Sequence, residues 1–362
     1  MVAYIRTMVV ERKKWLDEAS FQDGVALCQT IPGIITMQTA AYAGLRLRGM
    51  AGAGVCFLGF GLPAFFSMMI LSVLYMRTYS LPTVVPAFHG LQAIIVALVA
   101  HATLSFGRTS LKKEKDVIIA VVAAVMFGIG LHPILVILLA ALLGLMFYRR
   151  QTLPPMRVDS SGESRSLKPL LLLLLITIGG FIFLFVFQQK LFNLAALMAR
   201  ITLFAFGGGF GALPLMFHEV VKVNSWMDAQ TFLNGIALGQ ITPGPIMLTA
   251  TFVGYFLYGT LGGLIATLSI FLPSFFIIIG VVPYYDRLHN SLAFHKAMRG
   301  VLSSFVGLLL SVTVHFGLNI PWDLSRTLLV CAAFVALFLK VEIIWVVLVV
   351  LVGTVISVLV LS

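Results

Sequence analysis

Thr242-Pro243-Gly244-Pro245 decides the architecture of this chain, because the earlier stretch Ile31-Pro32-Gly33 repeats its centre at a separation of 211 residues, from Pro32 to Pro243. The flanking residues recur in the same register, as Gly24 with Gly235, Gln29 with Gln240, and, one residue closer, Leu62-Pro63 with Leu272-Pro273. Proline removes a helical hydrogen bond and glycine removes bulk, so each copy predicts a break in a helix. The chain is therefore read as an internal repeat.

The composition places both copies in a membrane. Apolar residues make up 60% of the chain and charged residues 10%, and the mean hydropathy is +1.07, whereas a soluble domain has roughly 25% charged residues. The sequence predicts an all-α polytopic membrane protein of about twelve segments, since each apolar run is close to the length that spans a bilayer as a helix. The predicted segments are 24–44, 51–76, 85–106, 116–131, 133–148, 169–188, 193–218, 233–255, 260–283, 298–317, 325–340 and 343–361. The two Pro-Gly segments, 24–44 and 233–255, are either broken or re-entrant.

The repeat divides the chain into three parts. A first transporter repeat covers 1–148, a linker with an orientation-switching helix covers 149–192, and a second repeat covers 193–362. The helix that carries Arg200 in the second repeat has no counterpart in the first. Either the true start lies upstream or this copy has lost the helix. The first option is favoured, because a shortened repeat would leave the site between the halves without one of the helices that line it.

Loop charges predict that the two repeats are inverted. The loop Arg46-Leu47-Arg48-Gly49 corresponds to Phe256-Leu257-Tyr258-Gly259, and the basic stretch 108–115 corresponds to 318–325, which contains no base. Cytoplasmic loops carry an excess of Lys and Arg, so equivalent loops lie on opposite sides of the membrane. The net charge of +11 therefore orients the protein and does not indicate a nucleic-acid partner. With twelve simple crossings, the basic stretch Glu11 to Lys14 faces outward, against this rule.

The broken helices predict an anion site. Freed backbone amides and the positive end of a half-helix attract negative charge, and side-chain amides and hydroxyls add hydrogen bonds. One isolated Pro-Gly is more often a packing kink, but recurrence at matched positions favours a site. The predicted substrate-binding residues are Gln29, Pro32, Gly33, Arg200, Gly207, Gly208, Gly209, Gln240, Thr242, Pro243, Gly244 and Pro245.

The stretch Phe204 to Gly211 supplies three glycines of that set, Gly207, Gly208 and Gly209. It lacks the Gly-Lys-Ser/Thr ending of a nucleotide-binding loop, so its glycines serve either close helix packing or an unwound turn lined by amides. Arg200 lies inside the preceding apolar segment and is expected to line the bundle interior or a pathway, with snorkelling to an interface as the alternative. His218 and Glu219 are candidates for coupling transport to a second ion.

Nothing in the sequence predicts catalysis or a cofactor. The three cysteines, Cys28, Cys56 and Cys331, lie far apart in apolar segments and are interpreted as packing residues, so no metal site is expected. The ionisable residues do not cluster as catalysis requires. The chain is therefore predicted not to be an enzyme.

These motifs resemble those of the chromate ion transporter family. The second half carries Phe206-Gly207-Gly208-Gly209, His218-Glu219-Val220 and Pro243-Gly244-Pro245, and the run from Val9 to Pro63 is similar to the family's other domain. The resemblance covers nearly the entire chain. The first half departs from it by lacking the Phe-Gly-Gly helix and by having Ile34 where the second Pro of Pro-Gly-Pro would stand.

The resemblance implies a secondary transporter that exports chromate by alternating access across the plasma (inner) membrane of a prokaryote, driven by the membrane potential or a proton gradient. Its partners would be a small oxyanion, chromate or sulfate, and the lipid bilayer, with no nucleic acid. Three alternatives stay open: a sulfate or other anion carrier, a non-transporting membrane subunit, and a decayed paralogue. A homodimer is also left open.

Overall fold

The structure is a computed structural model that describes residues 1–79, 81, 85–149, 168–284, 291–320, 322–339, 341, 343, 345–347 and 349. In this part of the chain all regular secondary structure is helical. Most of the linker 149–192 before α7, and the end of the predicted segment 343–361, lie outside the described residues. The α-helices are α1 (Val2–Arg6), α2 (Glu18–Thr30), α3 (Ile35–Thr78), α4 (Val85–Ser110), α5 (Glu114–Gly128), α6 (Pro133–Phe147), α7 (Lys168–Phe187), α8 (Gln189–Phe204), α9 (Gly209–Phe217), α10 (Ala229–Ile241), α11 (Thr249–Val281), α12 (Leu292–Leu318) and α13 (Leu324–Phe338). Short π-helices cover Thr7–Arg12 and His218–Val223, and 3-10 turns cover Ile246–Leu248 and Val282–Tyr284.

Length and composition agree with a multi-pass membrane protein. Five described helical stretches are long and apolar enough to cross a membrane: Ile35–Thr78, Gly90–Ser110, Pro169–Phe187, Ile246–Tyr284 and Leu292–Leu318. In α7 no residue of the apolar stretch is buried, and most of its side chains are exposed on the protein surface. Apolar side chains exposed over such a length suit contact with lipid.

Local geometry is repeated between the halves. Asp17 and Asp228 are the N-caps of α2 and α10, and their carboxylates accept the backbone N–H of Ser20 and Thr231 at 2.8 and 2.6 Å. A residue with positive φ precedes each cap by three positions, Lys14 and Ser225, both at φ 50°. The same residue types at matched positions thus give the same turn and the same helix start.

Both Pro-Gly positions are breaks between helices. α2 ends at Thr30 and α3 begins at Ile35, while α10 ends at Ile241 and helical structure resumes at Ile246. Neither proline is therefore in the interior of a helix, where its missing N–H would cost a hydrogen bond.

The helices on the two sides of each break lie side by side as a re-entrant hairpin. A Cβ atom added to Gly24 of α2 would strike the ring of Tyr42 of α3, and one added to Gly235 of α10 would strike the ring of Phe252 of α11. Such contacts require the chain to turn back at the Pro-Gly tip. Segments 24–44 and 233–255 are therefore re-entrant hairpins, which decides between the two predicted alternatives.

The glycine-rich stretch forms a third hairpin. The predicted segment 193–218 is split into α8 and α9 at Ala205–Gly208, where Gly207 and Gly208 adopt φ of 77° and 85°. Arg200 of α8 forms an ion pair with Glu219, which follows α9. These residues would lie about 28 Å apart along a straight helix, so the chain reverses between them. The glycines form a turn and do not serve a continuous packed helix.

Two further reversals occur inside the long helices α3 and α11. Gly49 has φ 61° and ψ −148°, and Gly259 has φ 63° and ψ −150°. Across the first reversal a Cβ on Gly44 would strike the carbonyl of Gly52, and Gly254 and Gly262 make the same contact across the second. Only glycine adopts this backbone conformation readily, so these loop glycines separate two antiparallel limbs in each helix.

The hairpin arrangement corrects the placement of the N-terminal bases. Because α2 and α3 form a re-entrant hairpin, the stretch from Glu11 to Lys14 lies at the same end of the bundle as Arg48. Val9 accordingly packs in one buried cluster with Ala43, close to that turn. The prediction that this stretch faces outward counted 24–44 as a full crossing, whereas the hairpin brings the stretch to the Arg48 end of the bundle; the side of the membrane that this end faces stays a prediction.

Equivalent helices from the two halves pack against each other in opposite directions. Phe57 of α3 contacts Phe275 of α11 at 5.0 Å between ring centroids, and Tyr75 contacts Phe252 at 5.1 Å, so rising numbers in α3 meet falling numbers in α11. In α4 and α12, the hydroxyls of Thr103 and Thr313 lie 3.2 Å apart at matched repeat positions.

Candidate functional site where three helix breaks meet

The tips of all three hairpins converge. The backbone N–H of Gly33 donates to the carbonyl oxygen of Ala205 at 2.8 Å. A Cβ on Gly208 would lie 3.2 Å from Cδ1 of Ile35, and one on Gly209 would lie 2.7 Å from Cγ2 of Ile246. The starts of α3, of α9 and of the helical turn that leads into α11 are therefore packed together.

Three helix N-termini at one point create a positive electrostatic environment. The residues before these helices, Ile34, Gly208 and Pro245, make no side-chain capping bond. Amides in the first turn of a helix have no intrahelical acceptor, and they lie at the positive end of the helix dipole. Such a junction can bind an anion through the backbone alone.

Each Pro-Gly tip rests on a helix of the other half, next to a proline. The backbone N–H of Ile34 donates to Ser274 Oγ at 2.9 Å, directly after Pro273 in α11. In the reciprocal contact, Gly244 packs against Ala64, directly after Pro63 in α3. Each half thus positions the tip of the other.

Two polar side chains at the start of α3 were missed by sequence reasoning. The hydroxyl of Thr36 and the Oε1 atom of Gln38 are buried and have no hydrogen-bond partner among the described residues. The Gln38 amide donates to the carbonyls of Pro32 at 2.8 Å and Ser274 at 3.3 Å, which braces the tip. By contrast, the nearby Thr39 hydroxyl donates to Ile35 within its own helix at 2.7 Å. The position of Thr36 and Gln38 just after Pro32-Gly33 was the signal by which the sequence could have identified them.

The predicted site residues do not all meet at the junction. Gly33, Gly208 and Gly209 line the contacts between tips, Gly207 packs on the ring of Phe106, and Gly244 packs on Ala64.

The remaining members of the predicted set differ in exposure. Pro32 is half-buried and Pro245 is buried, whereas Pro243 is exposed. Gln29 is exposed on α2, and Gln240 is half-buried at the end of α10. The buried Thr242 hydroxyl donates to the Gly239 carbonyl at 2.8 Å, so its proton is already used.

Arg200 lies in a charged cluster with Glu219 and His132. The Glu219 side chain is 4% exposed, and its Oε1 lies 2.7 Å from Arg200 Nη2 and 2.9 Å from His132 Nε2. His218 is adjacent but faces other rings, with centroids 5.2 Å from His132 and 5.6 Å from Phe127. His132 precedes α6 of the first half, so a sequence scan of the second half could not find it.

No group of three or more His, Cys, Asp or Glu side chains is placed to hold a metal ion in the described part of the chain. The hairpin tips offer backbone amides and the Thr36 hydroxyl, and the guanidinium of Arg200 lies in the neighbouring cluster with Glu219.

Comparison of the amino-acid sequence with known families gives a match over most of the chain. The family model described as chromate transporter matches residues 1–145 and 192–357. The chain belongs to the chromate transporter family. The two matched stretches leave out the end of α6, the following linker and α7.

Relatives of this family member extend over most of its length. An uncharacterized transporter of Methanocaldococcus jannaschii is 42% identical over 351 residues, which is 96% of this chain and 87% of the relative. A chromate transport protein of Pseudomonas aeruginosa is 30% identical, covering 86% of this chain and 74% of its own. That of Cupriavidus metallidurans is 24% identical, covering 94% and 83%. No solved structure matches the chain.

Proposed function

We propose that this protein exports chromate, a tetrahedral oxyanion, across the plasma membrane of a prokaryote by alternating access. The observation that carries the proposal is the meeting of three helix N-termini beside the unpaired buried hydroxyl of Thr36. Amide and hydroxyl donors bind an oxyanion by hydrogen bonds, and the helix dipoles compensate its charge.

Alternating access requires two halves that exchange roles. The proposed inverted repeats, 1–148 and 193–362, are supported by the antiparallel packing of α3 with α11 and by the contact of Thr103 with Thr313. In such transporters the substrate binds at the interface between repeats, where discontinuous helices point their N-termini at it. The reciprocal seating of the Pro-Gly tips on Ser274 and Ala64 fits this design.

The basic end of the bundle is assigned to the cytoplasm. This end carries the most Lys and Arg, which the positive-inside rule places in the cytoplasm. The described bases at this end are Arg12, Lys13, Lys14, Arg46, Arg48, Arg108, Lys112, Lys113, Lys115, Arg149, Lys296 and Arg299. The hairpin of α2 and α3 supports this assignment, because it brings the bases between Glu11 and Lys14 to the same end as Arg48.

Chromate is favoured because chromate transport proteins are similar to most of this chain. A dianion that leaves a cell through a potential of 100 mV loses about 4.6 kcal/mol, at about 2.3 per charge, so voltage alone can drive export. Sulfate has the same charge and shape and is the second candidate. It is an outcome of the test below.

The test is uptake of radiolabelled chromate into everted membrane vesicles, with the potential imposed or collapsed and with sulfate as competitor. We expect chromate accumulation that depends on the potential and is lost in Pro243→Ala, while a variant away from the site, Gly54→Ala, transports normally. A Cβ at Gly54 meets no atom within 4 Å. If the vesicles take up sulfate but not chromate, sulfate replaces chromate as the proposed substrate. Absence of flux of both anions, with intact expression, would reject the function.

A further inference from the structure

We propose that Glu219 is a proton-binding site that controls whether Arg200 is available to the transported anion. The proposal rests on the proposed function, since it assigns a coupling proton to the same oxyanion site. It assigns the proton to the carboxylate of Glu219 and gives a role to His132.

The hydrogen bonds around His132 occupy both ring nitrogens, whereas the Glu219 carboxylate keeps acceptor positions that can take a proton. His132 Nδ1 accepts the backbone N–H of Ile134 at 3.2 Å, which caps α6. The neutral ring therefore carries its proton on Nε2 and donates it to Glu219 at 2.9 Å. A second proton on the ring would have to displace the cap, whereas the carboxylate can accept one directly.

Few other charges surround this carboxylate. Arg200 of α8 and His132 contact Glu219 itself, and His218 lies beside it in the chain. Lys222, further along the same π-helix, lies 5.9 Å from the centroid of the Phe217 ring, and the ring of His315 of α12 lies 5.0 Å from that centroid on the facing side. Among the described residues, the carboxylate of Glu219 is the counter-charge that contacts Arg200, and one proton on it leaves the guanidinium without that counter-charge.

A released guanidinium is close to the anion site. Arg200 lies four residues before the end of α8 at Phe204, which is about 6 Å along the helix axis, and the tip at Ala205–Gly208 follows directly. The side chain is 46% exposed, so it has room to move. Glu219 and the oxyanion therefore compete for one cation, and a proton on Glu219 favours the anion.

The site exists in one half only. The π-helix His218–Val223 places Glu219 against α8, and π-helical turns are frequent at functional sites. The matching π-helix Thr7–Arg12 carries Met8 at the position that corresponds to Glu219. The carboxylate of that first π-helix, Glu11, corresponds to Lys222 instead, so the two equivalent scaffolds differ at the position that faces α8.

The first experiment measures chromate binding to the purified full-length protein in a series of buffers from neutral to acid pH. We expect affinity to rise as the pH falls, by a factor on the order of 5 to 150, the usual size of coupling between two sites. Glu219→Gln, a neutral isostere, should bind tightly at every pH. Arg200→Ala should bind weakly at every pH.

Matched variants distinguish control of anion binding by Glu219 from a purely structural role of this residue. Glu18→Gln removes an exposed carboxylate that also pairs with an arginine, Arg6, and should leave the pH profile unchanged. His132→Asn keeps a residue that can cap α6 but loses the contact with Glu219, and should shift the midpoint of the profile. A folded Glu219→Gln protein with the wild-type pH profile would overturn the proposal.

A second measurement detects protonation of Glu219 without any anion present. Infrared difference spectra of wild-type protein, titrated from neutral to acid pH, should show a protonated carboxyl band that Glu219→Gln lacks. Absence of such a band in the wild type overturns the proton site. A band that appears while neither chromate nor sulfate binds leaves the proton site in place and rejects the oxyanion function instead.

Discussion

The backbone N–H of Gly33 donates to the carbonyl oxygen of Ala205 at 2.8 Å, which joins hairpin tips from the two halves of the chain. Gly33 belongs to the first Pro-Gly break, and Ala205 begins the glycine-rich turn. One hydrogen bond therefore links a Pro-Gly break, which occurs in both halves, to the glycine-rich turn, which belongs to the second half. We infer that the tips act as one unit, and the predictions below test its parts.

Thr36→Val should weaken chromate transport without unfolding the protein. The hydroxyl is buried and unpaired in the structure, and a hydrogen bond to a charged group contributes about 1.5 kcal/mol or more, so the KM should rise about tenfold. Thr39→Val is the matched control because its hydroxyl bonds within its own helix. Equal effects of both variants on KM would contradict a role for Thr36 in binding.

Gly33→Ala should disrupt the tip. Gly33 has φ 126°, and a Cβ there would lie 2.5 Å from both Gln38 Nε2 and Ser274 Oγ. Backbone strain of this kind costs about 1 to 3 kcal/mol, so a lower melting temperature in detergent and a loss of transport are expected. Gly54→Ala, which meets open space, should not lower the melting temperature. A fully active, equally stable Gly33→Ala protein would argue against a packed tip.

Asp116→Asn should destabilise the basic end of the bundle. Asp116 of α5 is fully buried and accepts two hydrogen bonds from Arg299 of α12, at 2.9 and 2.7 Å. Removing one partner of a buried ion pair costs about 3 to 5 kcal/mol. The free energy of unfolding in a mild denaturant series checks this value. Glu18→Gln, at an exposed pair with Arg6, should show a much smaller effect, and similar losses in the two variants would contradict the prediction.

Labelling of introduced cysteines should show on which side of the membrane the N-terminal bases lie. Lys13→Cys and Arg48→Cys are expected to react with an impermeant maleimide from the same side, because the α2–α3 hairpin returns to the end where it starts. Trp322→Cys, an exposed position after α12, should react from the opposite side. The unmodified protein, with Cys28, Cys56 and Cys331, provides the background. Labelling of Lys13→Cys and Arg48→Cys from opposite sides would exclude the re-entrant hairpin.

The sequence alone determined that this is a helical membrane protein with an internal repeat and that its helices break at Pro32 and Pro243. These properties are local or compositional: apolar runs set the solvent, and proline with glycine ends a helix wherever it stands. The family motifs likewise depend only on residue order.

The tertiary structure decided the direction of the chain after each break and the partner of each buried charge. A proline ends a helix but does not say whether the next one continues or returns, and the packing of Gly24 against Tyr42 sets that choice. Glu219 meets Arg200 and His132 only because α8 is folded back and α6 of the other half reaches the hairpin. Such contacts depend on packing between distant segments, which no local pattern encodes.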